Sequence, residues 1–432
     1  MQRGWLNGRH TQIVQERCRA RFPRAAAQRP APPGFESHRA GKVPGAFPAC
    51  QHGAPEMARA LLWISAALIA WTQVGYALLL ALLRPGASPA APRAAGGDLP
   101  RVSLIVAAHR EQDVIAAKVA NALALDWPRE RLQVIVAVDG GAEPGADATA
   151  ERARAAGADL VLELPRGGKV RAQDAAVAAA AGELLAFGDA NALWEPGALR
   201  ALAAAFADPA VGYACGHVTF VNEGGTNQEG VYWRYELWLR GRESALASVT
   251  AGNGAVYAVR PEAYIEVDPV MGHDLSFPFN MVKRGWRAVD VPGARAAEKM
   301  VPSLEGEWLR KRRMMSHAWP IVLRGGLLDL RGYPPLYGLM VLSHRVLRYA
   351  TPLLHVVAGL ATLVLLARGR ARLAAVAQAA LLAGAAAGGR VRSRPLLLAR
   401  YYVLTTASLA AGLYDHLRHG TEAGWDAPEG TR

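Results

Sequence analysis

Leu184-Leu185-Ala186-Phe187-Gly188-Asp189-Ala190-Asn191-Ala192-Leu193-Trp194-Glu195-Pro196 is the stretch whose reading decides the fold. Leu184 to Phe187 is apolar without alternation, the pattern of a strand covered on both faces. Pro196 suits the first turn of a helix, so the stretch predicts a strand, an acidic tip and a Pro-started helix. Asp189 and Asn191 then stand at the strand's carboxyl end, where open α/β sheets gather their ligands. Two oxygen-bearing side chains two residues apart can hold a hard divalent cation, Mg²⁺ or Mn²⁺, against a diphosphate. A turn that uses Asp and Asn for local capping has the same local sequence, so the neighbouring segments must decide between the two.

Upstream, the strand pattern recurs. Val102-Ser103-Leu104-Ile105-Val106-Ala107 is followed by polar His109-Arg110-Glu111 and a helix from about Asp113. Val134 to Val138 runs into Asp139-Gly140-Gly141, and Leu160 to Leu164 is closed by Pro165 and Arg166-Gly167-Gly168-Lys169. An Ala-rich helix then leads into Leu184. Strand–helix alternation at this spacing predicts a parallel sheet with crossover helices. Asp139, Lys169 and the Asp189/Asn191 pair all fall at carboxyl ends of strands. A site for a nucleoside diphosphate needs that mix: a carboxylate for base or ribose, a cation for phosphate, and oxygen ligands for a metal. No Gly-x-Gly-x-x-Gly follows the first strand, which speaks against a dinucleotide-dependent oxidoreductase.

The 432 residues leave room for more than one structural unit, and the apolar excess (52% hydrophobic, 20% charged) is uneven. It concentrates in Leu61–Leu83 and again after Tyr333. The net charge of +13 sits in short arginine clusters beside apolar runs, which fits membrane and phosphate better than nucleic acid. No zinc-finger, RNP or basic-region pattern is present. Cys18, Cys50 and Cys215 are too scattered for a disulfide framework, so the middle of the chain suits a reducing compartment.

Residues 1–56 are rich in Arg, Pro, Ala and Gly and read as a disordered leader, with Met57 as the expected start of the protein. Leu61–Leu83, about 23 uncharged residues, is long enough to span a bilayer and opens a transmembrane segment expected over 57–84. Arg84 and Arg93 after it place the next domain in the cytoplasm. Residues 85–100 read as a Pro/Ala/Gly linker and 101–331 as the α/β domain. Within 332–415, Leu336–Leu342 is expected to lie at the interface because Arg345 and Arg348 interrupt it. Tyr349–Leu366 and Leu396–Leu413 are expected to span, Leu373–Ala387 is a weaker candidate, and 416–432 is a polar tail.

Further motifs come in a fixed order: Gly252-Asn253-Gly254-Ala255-Val256-Tyr257-Ala258, His273-Asp274-Leu275, and Arg310-Lys311-Arg312-Arg313. With Val102–Val106, Glu111, Asp139-Gly140, Gly167-Gly168-Lys169 and Asp189-Ala190-Asn191, this series resembles the family 2 glycosyltransferases. The resemblance is to the membrane-bound branch related to cellulose, hyaluronan and poly-N-acetylglucosamine synthases. It implies the A-type nucleotide-diphospho-sugar transferase fold, α/β with a mixed, mostly parallel sheet, and transmembrane helices on both sides. It also implies an inverting glycosyltransferase in the plasma membrane that uses a nucleotide sugar, a UDP-sugar, with Mg²⁺ or Mn²⁺. The acceptor would be a lipid-linked saccharide or a polysaccharide.

Residue by residue, the resemblance makes Asp139 the reader of the donor's base, with Glu111 bordering that pocket. It makes Lys169 and Gly252 donor contacts, Asp189 the first metal ligand and Asn191 the second, in place of the usual acid. Asp274 matches the general base. His273 replaces an acidic neighbour, and a protonated histidine there lowers the base's pKa. A helix N-cap is the simpler role for Asp274. Arg313 keeps the arginine of the Gln-x-x-Arg-Trp motif of processive synthases, able to fork onto pyrophosphate. The Gln and Trp are absent, and the other three basic residues read as a face near lipid headgroups. Tyr232, Trp233, Tyr235 and Trp238 read mainly as core, and Cys215 and His217 as buried sheet residues. These departures leave a second reading open, a weakly active or inactive nucleotide-sugar-binding scaffold of the same fold.

Overall fold

The computed structural model describes residues 53–84, 99–143, 145–221, 230–299, 304–391 and 393–424. The expected leader lies outside the described residues up to position 52, the linker over 85–98 and the tail from 425. Residues 53–56, assigned to the leader, are helical.

Eight strands build one sheet: β1 (Val102–Ala108), β2 (Leu132–Asp139), β3 (Leu160–Leu164), β4 (Leu184–Asp189), β5 (Leu193–Trp194), β6 (Val211–Val221), β7 (Val256–Val259) and β8 (Arg287–Lys299). Their order is β3-β2-β1-β4-β7-β6-β8-β5. β1 to β4 pair in parallel. β7 runs antiparallel to β4 and β6, β8 is parallel to β6, and β5 is antiparallel to β8. The sheet is therefore mixed, with its parallel half carrying the expected strands. β2 and β4 flank β1 on opposite sides, so a crevice opens at the carboxyl ends of β1 and β4, where Ala107 pairs with Asp189.

The helices are α1 (Gly53–Ala70), α2 (Tyr76–Leu82), α3 (Ile115–Leu123), α4 (Thr149–Ala155), α5 (Lys169–Ala178), α6 (Ala198–Ala205), α7 (Gly230–Leu246), α8 (His273–Lys283), α9 (Leu304–Leu323), α10 (Pro335–Met340), α11 (Leu347–Leu366), α12 (Arg372–Ala387) and α13 (Arg394–His419). The uninterrupted apolar strands are explained by cover on both faces. Leu104, Val134 and Ala186 pack with Ala122 of α3 and Leu199 and Leu202 of α6. Ile105, Ile135 and Phe187 point the other way, to Ala172 and Ala176 of α5 and Phe277 and Met281 of α8.

Two expectations about helices change. The helix after the acidic tip begins at Ala198 rather than Pro196, because Leu193 and Trp194 pair with Ala297 and Ala296 of β8 and Glu195 donates to the Arg295 carbonyl at 2.9 Å. Among the described residues, three helical runs, Ala54–Leu82, Pro335–Leu366 and Arg394–His419, are long and apolar enough to cross a membrane; α12 is shorter. Arg345 and Arg348 do not interrupt the second run. They lie in and just after a π-turn, Val341–Val346, that joins α10 to α11. Arg345 Nε donates to Thr250 Oγ1 at 2.8 Å, and Arg348 pairs with Glu236 and donates to the Tyr232 hydroxyl at 2.9 Å. Charges satisfied inside the protein do not need an interface.

A second π-turn, Trp71–Gly75, joins α1 to α2 and meets the first through Ser343. Trp71 Nε1 donates to Ser343 Oγ at 2.9 Å, and Thr72 Oγ1 to the Ser343 carbonyl at 2.7 Å. Glu243 of α7 lies beneath them, fully buried. Its carboxylate accepts from the Tyr76 hydroxyl and His344 Nδ1 at 2.6 Å each, and from Thr250 through N–H (3.1 Å) and Oγ1 (2.9 Å). Removing one member of a buried ionic network costs about 3–5 kcal/mol, against about 1 kcal/mol for one hydrogen bond. Glu243→Ala should therefore lower the thermal unfolding temperature of the purified protein far more than Tyr76→Phe does.

Candidate active site

β2 ends at Asp139, whose carboxylate is buried and held by protein donors. Oδ1 accepts the Gly167 N–H at 2.6 Å and the Gly168 N–H at 3.0 Å, and Oδ2 pairs with Arg166 Nη1 at 2.8 Å. Gly168 has φ +92°, in the left-handed region, and a Cβ there would meet the Ala423 carbonyl oxygen at 2.1 Å. The Gly-Gly pair thus wraps the Asp139 carboxylate, and the C-terminal segment lies against it. His109 Nδ1 donates to the Asp139 carbonyl at 2.6 Å. His109, Val138, Asp139, Gly140 and Glu143 are among the residues lining a cleft of about 70 Å³. Glu111 is not on its wall. It is buried behind, with its N–H on Thr149 Oγ1 (2.9 Å) and its carbonyl accepting from Ile115 at the start of α3 (2.9 Å).

The wrapped glycines launch α5, which places Lys169 in an ion pair with Asp189 Oδ1. Burial works against the Lys169 charge, but Asp189, Asp274 and Glu298 outweigh it and raise its pKa. A Cβ at Gly254 would stand 3.3 Å from Lys169 Nζ and 3.9 Å from Asp189 Oδ2, so the missing side chain leaves a cradle above the pair. Gly252 serves a different contact. A Cβ there would lie 1.9 Å from the Tyr213 hydroxyl, and its N–H donates to the Asp274 carbonyl at 2.7 Å. Asn191 follows Asp189 in a turn closed by the Ala192 N–H on the Asp189 carbonyl (3.1 Å). Among the described residues no three His, Cys, Asp or Glu side chains form a metal cluster. A carboxylate beside an open cradle, with an amide-bearing residue two positions on, is the chemistry of oxygen ligands suited to Mg²⁺ or Mn²⁺.

Asp274 lies in the first turn of α8, whose cap position is Gly272 rather than Asp274. Burial raises its pKa, opposed by Lys169 and the Leu275 N–H and reinforced by Asp189. His273 corrects an expectation. Burial, then Lys169, hold it down to about 3, so it is neutral and does not lower the Asp274 pKa. Its ring stacks on Phe277 at 4.0 Å, and Nδ1 meets the Tyr257 hydroxyl at 2.8 Å. His317, one turn beyond Arg313 on α9, has its pKa held down by burial and feels the charges of both Arg313 and Asp274.

The rest of the basic cluster is engaged by protein. Arg310 lies over Phe220 at 5.7 Å, Lys311 over Tyr401 at 3.9 Å, and Arg312 pairs with Asp415 at 2.6 Å. Trp233 donates to the Val218 carbonyl (2.9 Å) and Tyr235 to the Gln73 carbonyl (2.8 Å), both packing roles, whereas Trp238 is exposed. Cys215 is core, its thiol pushed up to about 12 by burial, and His217 pairs with Asp290 at 3.0 Å.

Two groups near Asp189 escape sequence reasoning. Burial, then Asp189, push Glu298 of β8 up to about 7 against the pull of Lys169, Arg310 and Lys118. Burial lowers Lys118 of α3 to about 7 against Asp189 and Glu298. Neither carries a motif.

Residues 100–316 match the model of the family "Glycosyltransferase like family 2". No curated protein matches the chain. Among solved structures, the chain is similar to the mannosyltransferase PcManGT from Pyrobaculum calidifontis, in complex with GDP-Man and Mn²⁺. The two are 23% identical with a TM-score of 0.64, over 84% of this chain and 99% of that one. It also matches glucosyl-3-phosphoglycerate synthase from Mycobacterium tuberculosis in complex with Mn²⁺, UDP-glucose and phosphoglyceric acid. That match is 19% identical with a TM-score of 0.37, over 55% and 84% of the two chains. The first likeness bears out the A-type fold.

The two glycines of the Gly252-Asn253-Gly254 segment should respond differently to a methyl group. Gly252→Ala, forced against Tyr213, is expected to lose about 1–3 kcal/mol in denaturant unfolding, while Gly254→Ala leaves stability unchanged.

Proposed function

The chain belongs to the glycosyltransferase-like family 2, and from that premise we propose that it is a membrane-anchored, inverting enzyme of the branch related to polysaccharide synthases. It transfers a sugar from a nucleotide sugar, a UDP-sugar, to a hydroxyl of a lipid-linked saccharide or polysaccharide at the cytoplasmic face. Membrane anchoring rests on the three long apolar helices, two of which pack against the catalytic domain through Tyr76 and His344. The observation that carries the reaction is the half-buried ion pair of Lys169 with Asp189, with the Asp274 charge acting on both.

In this reading the nucleotide base lies in the cleft beside Asp139, with Glu111 supporting its wall from behind. Lys169 and Arg313 neutralise charge that grows on the diphosphate as the bond from the sugar's anomeric carbon to the leaving oxygen breaks. Asp274 accepts the proton of the acceptor hydroxyl as that oxygen attacks the opposite face of the anomeric carbon. Asp189 and Asn191 would hold Mg²⁺ or Mn²⁺, which supplies a Lewis acid to the diphosphate. Mn²⁺ in the two solved structures supports a divalent ion, and their GDP- and UDP-sugars define the donors to compare. Gly252 keeps the Asp274 main chain in place, and the open cradle at Gly254 lies where donor can approach.

Release of nucleoside diphosphate by the purified protein, across UDP- and GDP-sugars with metal and chelator, tests the reaction. Asp274→Asn is expected to lose about 10²–10⁴-fold in rate, and Asp189→Ala to lose its response to Mn²⁺. Full activity of both variants would sink the mechanism; donor binding without turnover by the unaltered protein would favour the scaffold reading.

The pH dependence has a defined sign. A base works ionised, and the Asp274 pKa is raised, so the acid limb of the rate profile should fall above the ordinary aspartate range. Lys169 favours the ionised form, so Lys169→Met should move that limb to still higher pH. An unmoved limb, read from initial rates across pH, would separate Lys169 from the base.

A further inference from the structure

Lys118 places an ammonium where packing alone would choose a hydrocarbon. It lies on α3 among Ile115, Val119 and Ala122, all buried, and is itself fully buried. Lysine is seldom found so, because a desolvated charge is costly unless it is compensated. Lys118 Nζ donates to the Ala192 carbonyl at 2.6 Å and stands 5.1 Å from the Trp194 ring centroid. A Cβ on Gly188 would come within 3.0 Å of this nitrogen, so the glycine before Asp189 makes room for it.

One turn along α3, Asn121 grips the same segment twice. Its Oδ1 accepts the Trp194 N–H at 2.8 Å, and its Nδ2 donates to the Trp194 carbonyl at 2.9 Å. Trp194 Nε1 donates in turn to the Ala255 carbonyl at 2.9 Å, next to Gly254 and its cradle. Asp189 and Asn191 therefore occupy a turn whose far end is pinned from behind by Lys118 and Asn121.

We propose that Lys118 is a positioning residue for the divalent cation: by fixing the Ala192 carbonyl it sets the turn that aims Asp189 and Asn191. The inference rests on the reading of those two residues as metal ligands. Lys118 acts through the turn and touches neither metal nor substrate. Partners behind metal ligands are commonly worth about 10–100-fold in affinity. A purely electrostatic effect has the opposite sign, since removing a cation near the site would tighten binding of another.

Mn²⁺ affinity decides between them. It is measured on the purified full chain from the electron paramagnetic resonance signal of free Mn²⁺ in the presence of UDP. Lys118→Met should weaken Mn²⁺ binding about tenfold, with an unfolding temperature equal to or above that of the unaltered protein, because the buried charge is gone. Unchanged or tighter Mn²⁺ binding by folded Lys118→Met overturns the proposal. Asn121→Ala, which loosens the same turn without touching a buried charge, should weaken Mn²⁺ in the same direction. If Lys118→Met does not fold, unchanged affinity in Asn121→Ala overturns the proposal instead. No Mn²⁺ binding by the unaltered protein would overturn the assignment of Asp189 and Asn191 and this inference with it. Equal binding by it and Lys118→Met overturns the inference alone.

Discussion

The ion pair between Lys169 and Asp189 is the contact on which the site depends. It joins the start of α5 to the end of β4, two points brought together only when the parallel half of the sheet has formed. Each partner removes the cost of burying the other, and each is set from behind. Asp139 holds the Gly167-Gly168 backbone from which Lys169 projects. The turn after Asp189 is pinned by α3. A buried charge left without its partner is expensive, so the two halves of the crevice are coupled in assembly.

The pair also sets the electrostatics around Asp274. Asp274 feels the cation and the carboxylate together, and its desolvation leaves it a stronger base than an exposed aspartate. His273 contributes shape rather than charge. Neutral, and enclosed by Phe187, Tyr257, Tyr264 and Phe277, it fills the space beside Asp274.

Asp274 is also tied mechanically to the apolar helices. Glu243 connects Tyr76 and His344 to Thr250, and two residues later the Gly252 N–H holds the Asp274 carbonyl. The π-turns that meet at Ser343 let these helices present polar groups inward. The apolar helices and the α/β domain share one buried polar network, and Arg345 and Arg348 belong to it.

Strands β1 to β4 and the acidic tips at Asp139 and Asp189 were legible in the sequence, because doubly covered strands must be apolar throughout and their ends must then be polar. The long apolar runs were legible for the same kind of reason, since length and hydropathy are local properties. The antiparallel half of the sheet was not, because β5, β7 and β8 are defined by partners far away in the chain. Nor were Lys118, Glu298 and His317, which belong to no local pattern and become site residues through where their helices and strand pack. Gly252 and Gly254 show the division most sharply. The sequence determined that both lack a side chain; only the tertiary structure decided that one yields to Tyr213 and the other opens onto Lys169 and Asp189, since a glycine's purpose is the atom that stands where its Cβ would be.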